Sequence, residues 1–273
     1  MSALPDSLVL VGAGKMGGAM LQGWLALGLE PQAVTVLDPH VAQDMLALCR
    51  ARGVALNPPV ANIAAPKVLV LAIKPQMLDE AAASLAGLTG KATLVISILA
   101  GKTIADLAQR LPGCPALIRA MPNTPAAIGR GITGAYANAA VAPAQKAMAE
   151  ALLQAVGRVE WLDDEALIDA VTAVSGSGPA YVFHLVECLA QAGAAAGLET
   201  GLAMRLARAT VEGSGELMFQ NQATPAADLR VNVTSPGGTT AAALAVLMAD
   251  DGMAALMRAA VAAAKARARA LSG

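Results

Sequence analysis

Aromatic side chains are scarce in this 273-residue chain, which has two residues each of tryptophan, tyrosine and phenylalanine. Proteins that bind single-stranded nucleic acids stack the bases on aromatic side chains, and this composition offers little such surface. The formal net charge is -1, whereas a nucleic-acid-binding protein usually carries a clustered basic patch. We therefore expect no nucleic-acid partner.

Residues that build metal centres and nucleophilic triads are also few. The chain has two histidines, His40 and His184, and three widely separated cysteines, Cys49, Cys114 and Cys188. An odd number of dispersed cysteines forms neither a disulfide framework nor a zinc-binding pattern. We expect no metal site, and a reducing, cytoplasmic location suits this cysteine usage.

Long uninterrupted apolar runs are absent, although 56% of the residues are hydrophobic. The longest charge-free stretches, such as residues 170–186, contain glycine, serine and proline at their centres. A membrane-spanning helix needs about 20 consecutive, predominantly apolar residues. No lysine or arginine precedes the first apolar run, although a signal peptide has a basic start. The sequence predicts neither a membrane span nor an export signal.

The first half of the chain alternates short apolar runs with helical patterns. The predicted strands are residues 8–11, 33–37, 53–56, 68–73, 93–98, 116–121, 132–136 and 158–162. Such alternation is typical of a doubly wound, mostly parallel sheet. After about residue 163 no strand-like run occurs, and helical patterns follow one another. The sequence therefore predicts an α/β domain followed by an all-α domain.

A glycine-rich segment, Gly12-Ala-Gly-Lys-Met-Gly17, lies directly between the first predicted strand and a helical pattern. In this context G-x-G-x-x-G is the fingerprint of a Rossmann-type dinucleotide site. Gly12 allows the tight turn, Gly14 lets a pyrophosphate approach the backbone, and Gly17 lets the helix pack closely on the strand. The alternative is a glycine-rich turn without a ligand. The context favours NADPH or NADH as the cofactor.

Asp38 ends the second predicted strand, at the usual place of the acid that binds the ribose hydroxyls. A carboxylate at this place favours NADH, because it would repel the 2′-phosphate of NADPH. His40, Arg50 and Arg52 could offset that repulsion, so both cofactors stay open. The alternative interpretation of Asp38 is a turn residue before Pro39.

The stretch Asn232–Thr240, rich in hydroxyl groups and glycine, enters a predicted helix at residues 241–248. Ser235 is a candidate N-cap with Pro236 at the first helical position, and Thr239 is the candidate cap of a later start. In both cases free backbone N–H groups and the positive end of the helix dipole suit a small anion. An ordinary capped helix without a ligand is the alternative.

Six motifs, taken in their order, resemble the pyrroline-5-carboxylate reductase family. They are residues 12–17 (GAGKMG), 72–76 (AIKPQ), 119–125 (RAMPNTP), 168–171 (IDAV), 175–181 (SGSGPAY) and 235–240 (SPGGTT). The resemblance implies reduction of the cyclic imine L-1-pyrroline-5-carboxylate to L-proline by NADPH or NADH, the final step of proline biosynthesis. It also implies a dinucleotide-binding Rossmann domain over 1–162, a helical dimerisation and substrate-binding domain over 163–273, and a homodimer or a larger ring of dimers.

The resemblance also implies site residues. The cofactor contacts are Gly12, Ala13, Gly14, Lys15, Met16, Gly17, Ala72, Ile73, Lys74, Pro75 and the loop that begins at Ser97, to which we add Asp38 and Asn57. The substrate contacts are Glu165, Thr239 and Thr240. Two positions depart from the family pattern: Leu99 replaces an alanine and is expected to crowd a loop near the cofactor, and Asp38 replaces a small polar or basic residue.

A protonated cyclic imine is already electrophilic, so the reaction needs no strong general acid. We predict that the N–H groups of Gly238 and Thr239, in the loop with Gly237, hold the substrate carboxylate, together with a hydroxyl of Ser235 or Thr239. Thr240 is the predicted catalytic residue, with its hydroxyl bonded to the ring nitrogen. Glu165 is expected to stabilise the iminium charge or to support the loop.

Two other functions compete with the reductase. A β-hydroxyacid dehydrogenase needs a lysine in its second domain, but residues 163–232 contain none. A regulator that binds NAD(P)H without turnover would leave residues 235–240 unexplained. His184, in the middle of a predicted helix, is expected to be a packed core residue rather than a catalytic one.

Overall fold

The structure is a computed structural model that describes residues 4–271. Within this range the chain forms two compact units, one of residues 4–176 with 264–271 and one of residues 177–263. This division lies beyond the predicted boundary at 162/163, because the short helical segment after residue 165 packs on strands of the sheet. The predicted division into a dinucleotide-binding domain, 1–162, and a dimerisation and substrate-binding domain, 163–273, remains a proposal.

The first unit contains an eight-stranded sheet, and all eight predicted strands are confirmed. They are β1 Leu8–Val11, β2 Val34–Leu37, β3 Ala55–Leu56, β4 Val68–Leu71, β5 Leu94–Ser97, β6 Ala116–Met121, β7 Gly131–Ala137 and β8 Gly157–Trp161. Their order in the sheet is β3-β2-β1-β4-β5-β6-β7-β8. Every neighbouring pair is parallel except β6 with β7. The predicted doubly wound Rossmann-type fold is therefore confirmed.

Eleven α-helices lie within the described residues. They are α1 Lys15–Ala26, α2 Gln43–Arg52, α3 Leu78–Leu85, α4 Ile104–Arg110, α5 Pro143–Gln154, α6 Ile168–Val171, α7 Gly178–Ala195, α8 Thr200–Gln220, α9 Ala226–Asn232, α10 Thr239–Leu247 and α11 Met253–Leu271. A π-helical turn, Thr172–Gly176, follows α6 and ends before α7. The Ser175 hydroxyl donates to the Val171 carbonyl at 3.1 Å in this turn.

The sheet is buried on both faces because alternate residues of a strand point to opposite sides. In β1, Leu8 and Leu10 join a cluster with residues of α1, α2 and α5. Val9 and Val11 join a second cluster with residues of α3 and α4. The continuous apolar strands of the sequence are therefore explained by helices on both sides, which leave the ends of the strands free for a site.

The second unit has almost no core of its own. Within residues 177–263 the only buried residues are Ala190, Ala203 and Ala207, on the mutually packed helices α7 and α8. Large apolar side chains of this unit are exposed, such as Phe183 at 64% and Val246 at 72%. Helices that are apolar on several sides are usually covered by another surface.

His184 is not a core residue of this chain, so that prediction is wrong. Its side chain is 73% exposed, with Nδ1 at 3.0 Å from the Glu187 carboxylate. The physical reason is that α7 buries a single residue within the chain.

None of the helices within residues 4–271 has a stretch that is long and apolar enough to cross a membrane.

Helix α4 begins with a reciprocal capping box that gives a pH-dependent prediction. Thr103 N donates to Asp106 Oδ2 at 2.9 Å, and Asp106 N donates to Thr103 Oγ1 at 3.1 Å. Partial burial alone would raise the pKa of Asp106, but the hydrogen bonds from Thr103, with Lys102 and Arg110 nearby, hold it below its ordinary 3.8. A lowered pKa stabilises the folded state above the ordinary value, and this stabilisation is lost as the pH falls through the folded-state value.

We therefore expect Asp106→Ala to lower the free energy of unfolding by about 1 kcal/mol at pH 7. The difference from the wild type should shrink below the ordinary pKa of 3.8. Urea unfolding followed by tryptophan fluorescence measures it, since Trp24 and Trp161 both lie in the first unit. Asp163→Ala, at an exposed aspartate, is the matched control. A difference that stays constant down to about pH 3 would contradict the assignment to the Asp106 carboxylate.

Candidate functional site

A cavity of about 780 Å³ opens at the carboxyl ends of β1, β2 and β4. Its other walls are residues 57–60 and the α3 region, from Met77 to Leu85. This edge of a doubly wound sheet is where nucleotides bind, and the volume suits a ligand of that size. The predicted cofactor residues that line the cavity are Gly12, Gly14, Asp38, Asn57, Ala72, Ile73 and Lys74.

The three glycines of the loop differ in the space around them. Gly12 has a φ of +92°, and a Cβ built on it would lie 2.6 Å from the Ala72 carbonyl oxygen. A Cβ on Gly17 would lie 2.1 Å from the Gly12 carbonyl oxygen. Around Gly14 nothing lies within 4 Å of such a Cβ. Gly12 and Gly17 are thus required by the packing of the protein, whereas the space at Gly14 is open on the side of the cavity.

The start of α1 can hold an anion at this place. Gly14 is the N-cap, and no side chain caps the helix. The first N–H groups of an α-helix have no partner within the helix, and together with the helix dipole they favour a phosphate. The residues and the space therefore fit the pyrophosphate of a dinucleotide.

The Asp38 carboxylate is fixed by two backbone groups. Oδ2 accepts a hydrogen bond from Ala13 N at 2.7 Å, and Oδ1 accepts one from His40 N at 2.8 Å. The Asn57 side chain, from a backbone with φ +50°, accepts from Asp38 N and donates to the Asp38 carbonyl, both at 2.8 Å. Asp38 thus joins the glycine loop to β2, and Asn57 joins β3 to the same turn.

Six other predicted cofactor residues do not line the cavity: Ala13, Lys15, Met16, Gly17, Pro75 and Ser97. Lys15 is exposed and Met16 packs partly against the core. Ser97 is fully buried, and its Oγ accepts from Leu99 N at 3.3 Å. Leu99 is 1% exposed within the second core cluster, so its side chain does not crowd the cavity. The cofactor roles of these six residues remain predictions.

The predicted substrate loop lies in the second unit. Helix α10 starts at Thr239, later than the predicted start with Pro236 as the first helical residue. Gly238 is its N-cap, so the expectations that Ser235 or Thr239 caps the helix are wrong. The physical reason is a turn in which Gly237 has a φ of +69° and Gly238 N donates to the Ser235 carbonyl at 3.1 Å. Thr239 is the first helical residue instead.

This later start still leaves a helix end without a side-chain cap. The N–H groups of the first helical turn, beginning with Thr239 and Thr240, have no partner within the helix. Among residues 4–271, no hydrogen bond involves the hydroxyls of Ser235, Thr239 or Thr240. No side chain of the described residues therefore caps this helix end through a hydrogen bond.

Glu165, the remaining predicted substrate residue, lies in the first unit. Its Oε1 accepts from Ile104 N at 2.8 Å, at the start of α4, and from Arg119 Nη1 at 3.2 Å. Arg119, on β6, is 3% exposed, and its Nη2 lies 3.7 Å from Asp169 Oδ1. The sequence did not predict this group of Arg119, Glu165 and Asp169, although Arg119 and Asp169 each stand in a motif. The reason is that no local spacing pattern links residues so far apart in the chain.

Comparisons with known proteins agree with these features. A family profile described as "NADP oxidoreductase coenzyme F420-dependent" matches residues 7–101, and one described as "Pyrroline-5-carboxylate reductase dimerisation" matches residues 165–271. A pyrroline-5-carboxylate reductase of Synechocystis sp. is 45% identical over 243 residues, which cover 88% of this chain and 89% of that protein.

Solved structures agree over nearly the full length. A pyrroline-5-carboxylate reductase from Coxiella burnetii, 33% identical, superposes with a TM-score of 0.89 over 98% of this chain and 99% of that one. The crystal structure of Plasmodium falciparum pyrroline carboxylate reductase with NADP bound is 27% identical and has a TM-score of 0.79 over 98% of both chains. This chain therefore belongs to the pyrroline-5-carboxylate reductase family of NAD(P)-dependent oxidoreductases.

Proposed function

We propose that this protein reduces L-1-pyrroline-5-carboxylate to L-proline with NADPH or NADH, the final step of proline biosynthesis. The observation that carries the proposal is the similarity to pyrroline-5-carboxylate reductases over nearly the whole chain. The open space at Gly14 and the uncapped start of α10 support it, because the cofactor and the substrate both carry anionic groups. A cytoplasmic location is part of the proposal, supported by three unpaired cysteines.

The cofactor would be held mainly by backbone groups. The start of α1 binds its pyrophosphate, Asp38 binds a ribose, and the strand end at Ala72, Ile73 and Lys74 forms a wall of the cavity. NADH or NADPH, when bound, supplies the hydride. The protein's own contribution is to orient the reactants and to exclude water, and good orientation lowers a barrier by about 7 kcal/mol or more.

The substrate would be held through its carboxylate and its ring nitrogen. We assign the carboxylate to the loop of Ser235, Gly237, Gly238 and Thr239, through the free N–H groups that begin at Thr239 and a hydroxyl of Ser235 or Thr239. The N–H of Gly238 does not serve as predicted, because it donates to the Ser235 carbonyl. The Thr240 hydroxyl binds the ring nitrogen, which ends the reaction as an amine. Glu165 is proposed as a further substrate contact: its Oε1 is bonded within the first unit, and its Oε2 has no hydrogen bond among the described residues.

The direct test follows the absorbance of NADH and of NADPH with pyrroline-5-carboxylate as the substrate. We expect oxidation of the cofactor and formation of proline in equal amounts. A β-hydroxy acid, incubated with NAD⁺ and NADP⁺, is the control for the competing dehydrogenase. Failure to oxidise either cofactor with the imine would refute the proposed function.

The second unit would form a homodimer, or a larger ring of dimers. The matched dimerisation profile and the exposed apolar side chains of residues 177–263 support this assembly. Association would remove that apolar surface from water, at about 25 cal/mol per Å². Sedimentation equilibrium distinguishes a dimer from a larger ring, and a monomer at micromolar concentration would contradict both.

Asp38 gives a prediction about cofactor preference. Its carboxylate is held on the cavity wall by Ala13 N and His40 N, so it cannot turn away from a 2′-phosphate. We expect Asp38→Asn to shift the ratio of kcat/KM for NADH to that for NADPH by roughly tenfold toward NADPH, about the effect of removing one nearby like charge. Asp44→Asn, at an exposed aspartate on α2, is the control, and an unchanged ratio in Asp38→Asn would exclude Asp38 as the determinant.

A further inference from the structure

Arg119 is a buried cation that the proposed reaction does not use. It lies on β6 with 3% of its side chain exposed, and its Nε and Nη2 have no hydrogen-bond partner among the described residues. Asp169 Oδ1, 3.7 Å from Nη2, is likewise buried without one. Burying incompletely bonded charges is costly, and a buried ion pair is weak support for stability. Native proteins that keep such incompletely bonded buried groups commonly do so at functional sites.

One carboxylate joins three parts of the first unit at this place. Glu165 Oε1 accepts from Arg119 Nη1 on β6 and from Ile104 N at the first residue of α4. Glu165 itself belongs to the segment that leads into α6. The position of the α4 start is therefore set both by its own capping box with Thr103 and by a carboxylate that Arg119 holds.

The loop before α4, residues 98–103, starts close to Ala72, which lines the cofactor cavity. Arg119 is paired directly with Ser97 in the sheet. The next residue, Ile98, donates its N–H to the Leu71 carbonyl at 3.0 Å, and Ala72, which lines the cavity, follows Leu71. The loop thus runs from the strand end beside Ala72 to the helix start that Glu165 and Arg119 hold.

We infer that Arg119 is a positioning residue for the cofactor: it holds Glu165 against Ile104 N and so fixes the 98–103 loop beside the cavity. This inference rests on the proposed use of NAD(P)H, but not on the identity of the imine. Asp169 completes the arrangement as the second carboxylate beside the guanidinium.

The test is a fluorescence titration with NADH in the absence of any imine, so that a failure of the substrate assignment would not affect it. Arg119→Met should raise the dissociation constant for NADH roughly three- to tenfold, about the effect of one lost charge-assisted hydrogen bond. Arg119→Lys, which keeps the charge, should restore part of the affinity. Arg158→Met is the matched control, because Arg158 is an exposed arginine on β8 of the same sheet.

Glu165→Gln decides the question if Arg119→Met does not fold. The Glu165 side chain is 25% exposed, and glutamine keeps an oxygen that can accept from Ile104 N, so we expect this variant to fold. It should also raise the dissociation constant for NADH, by about threefold, whereas a pure substrate contact would change only the KM for the imine. A dissociation constant within twofold of the wild type in Glu165→Gln, or in a folded Arg119→Met, would overturn the inference.

Discussion

Replacing Gly14 with valine should abolish most of the affinity for NADH and leave the fold intact. A Cβ at Gly14 meets no protein atom within 4 Å, and the φ of -66° is accessible to any residue. The side chain would instead occupy the space in front of the α1 start. Losing a charge-assisted hydrogen bond to the pyrophosphate costs about 1.5–3 kcal/mol, so the dissociation constant should rise roughly 10- to 150-fold.

Two further glycine variants make this result specific. Gly87→Val is the matched control, because Gly87 is exposed, also has nothing within 4 Å of a built Cβ, and does not line the cavity. It should bind NADH as the wild type does. Gly17→Val should fail to fold, since its Cβ would overlap the Gly12 carbonyl oxygen. If folded Gly14→Val bound NADH normally, the pyrophosphate could not lie at this loop.

Removing the Thr240 hydroxyl should have a comparably large effect on catalysis. Thr240→Val keeps the side-chain shape at the start of α10 but removes the proposed hydrogen bond to the ring nitrogen. We expect kcat/KM for pyrroline-5-carboxylate to fall roughly tenfold or more, about the effect of one lost hydrogen bond in a site without water. The dissociation constant for NADH should not change, because it reports only on the cofactor.

Thr240→Ser separates the hydroxyl from the packing of the methyl group. Serine keeps the hydroxyl, so this variant should recover most of the activity that valine loses. Steady-state rates at varied imine concentration measure both variants. Wild-type kinetics in Thr240→Val would remove Thr240 from the mechanism, and equal losses in both variants would assign its role to packing.

Much of the first unit could be predicted because its signals are local. The apolar runs of β1, β4 and β5 follow from burial on both faces of a sheet, and the roles of Gly12 and Gly17 follow from the tight turn between strand and helix. The position of Asp38 followed from the order of the elements. Its bonds to Ala13 N and to the Asn57 side chain did not, because they join residues that only the sheet order brings together.

The predictions that failed depended on the surroundings of a local pattern. Ser235 and Pro236 read as a helix start, but the turn through Gly237 delays α10 to Thr239. His184 lies in an apolar helix that would normally be buried, yet in this chain that helix is mostly exposed. The pair of Arg119 with Glu165 joins residues 46 positions apart, and no helical or strand period predicts it.

The nearly coreless second unit has a consequence for how the chain reaches its native state. A unit whose buried residues are three alanines gains little free energy by folding alone. In the proposed dimer, most of that free energy would come from association, so folding of this unit would be a bimolecular process. The melting temperature would then rise with protein concentration, and newly made chains would complete their second unit only after they encounter one another.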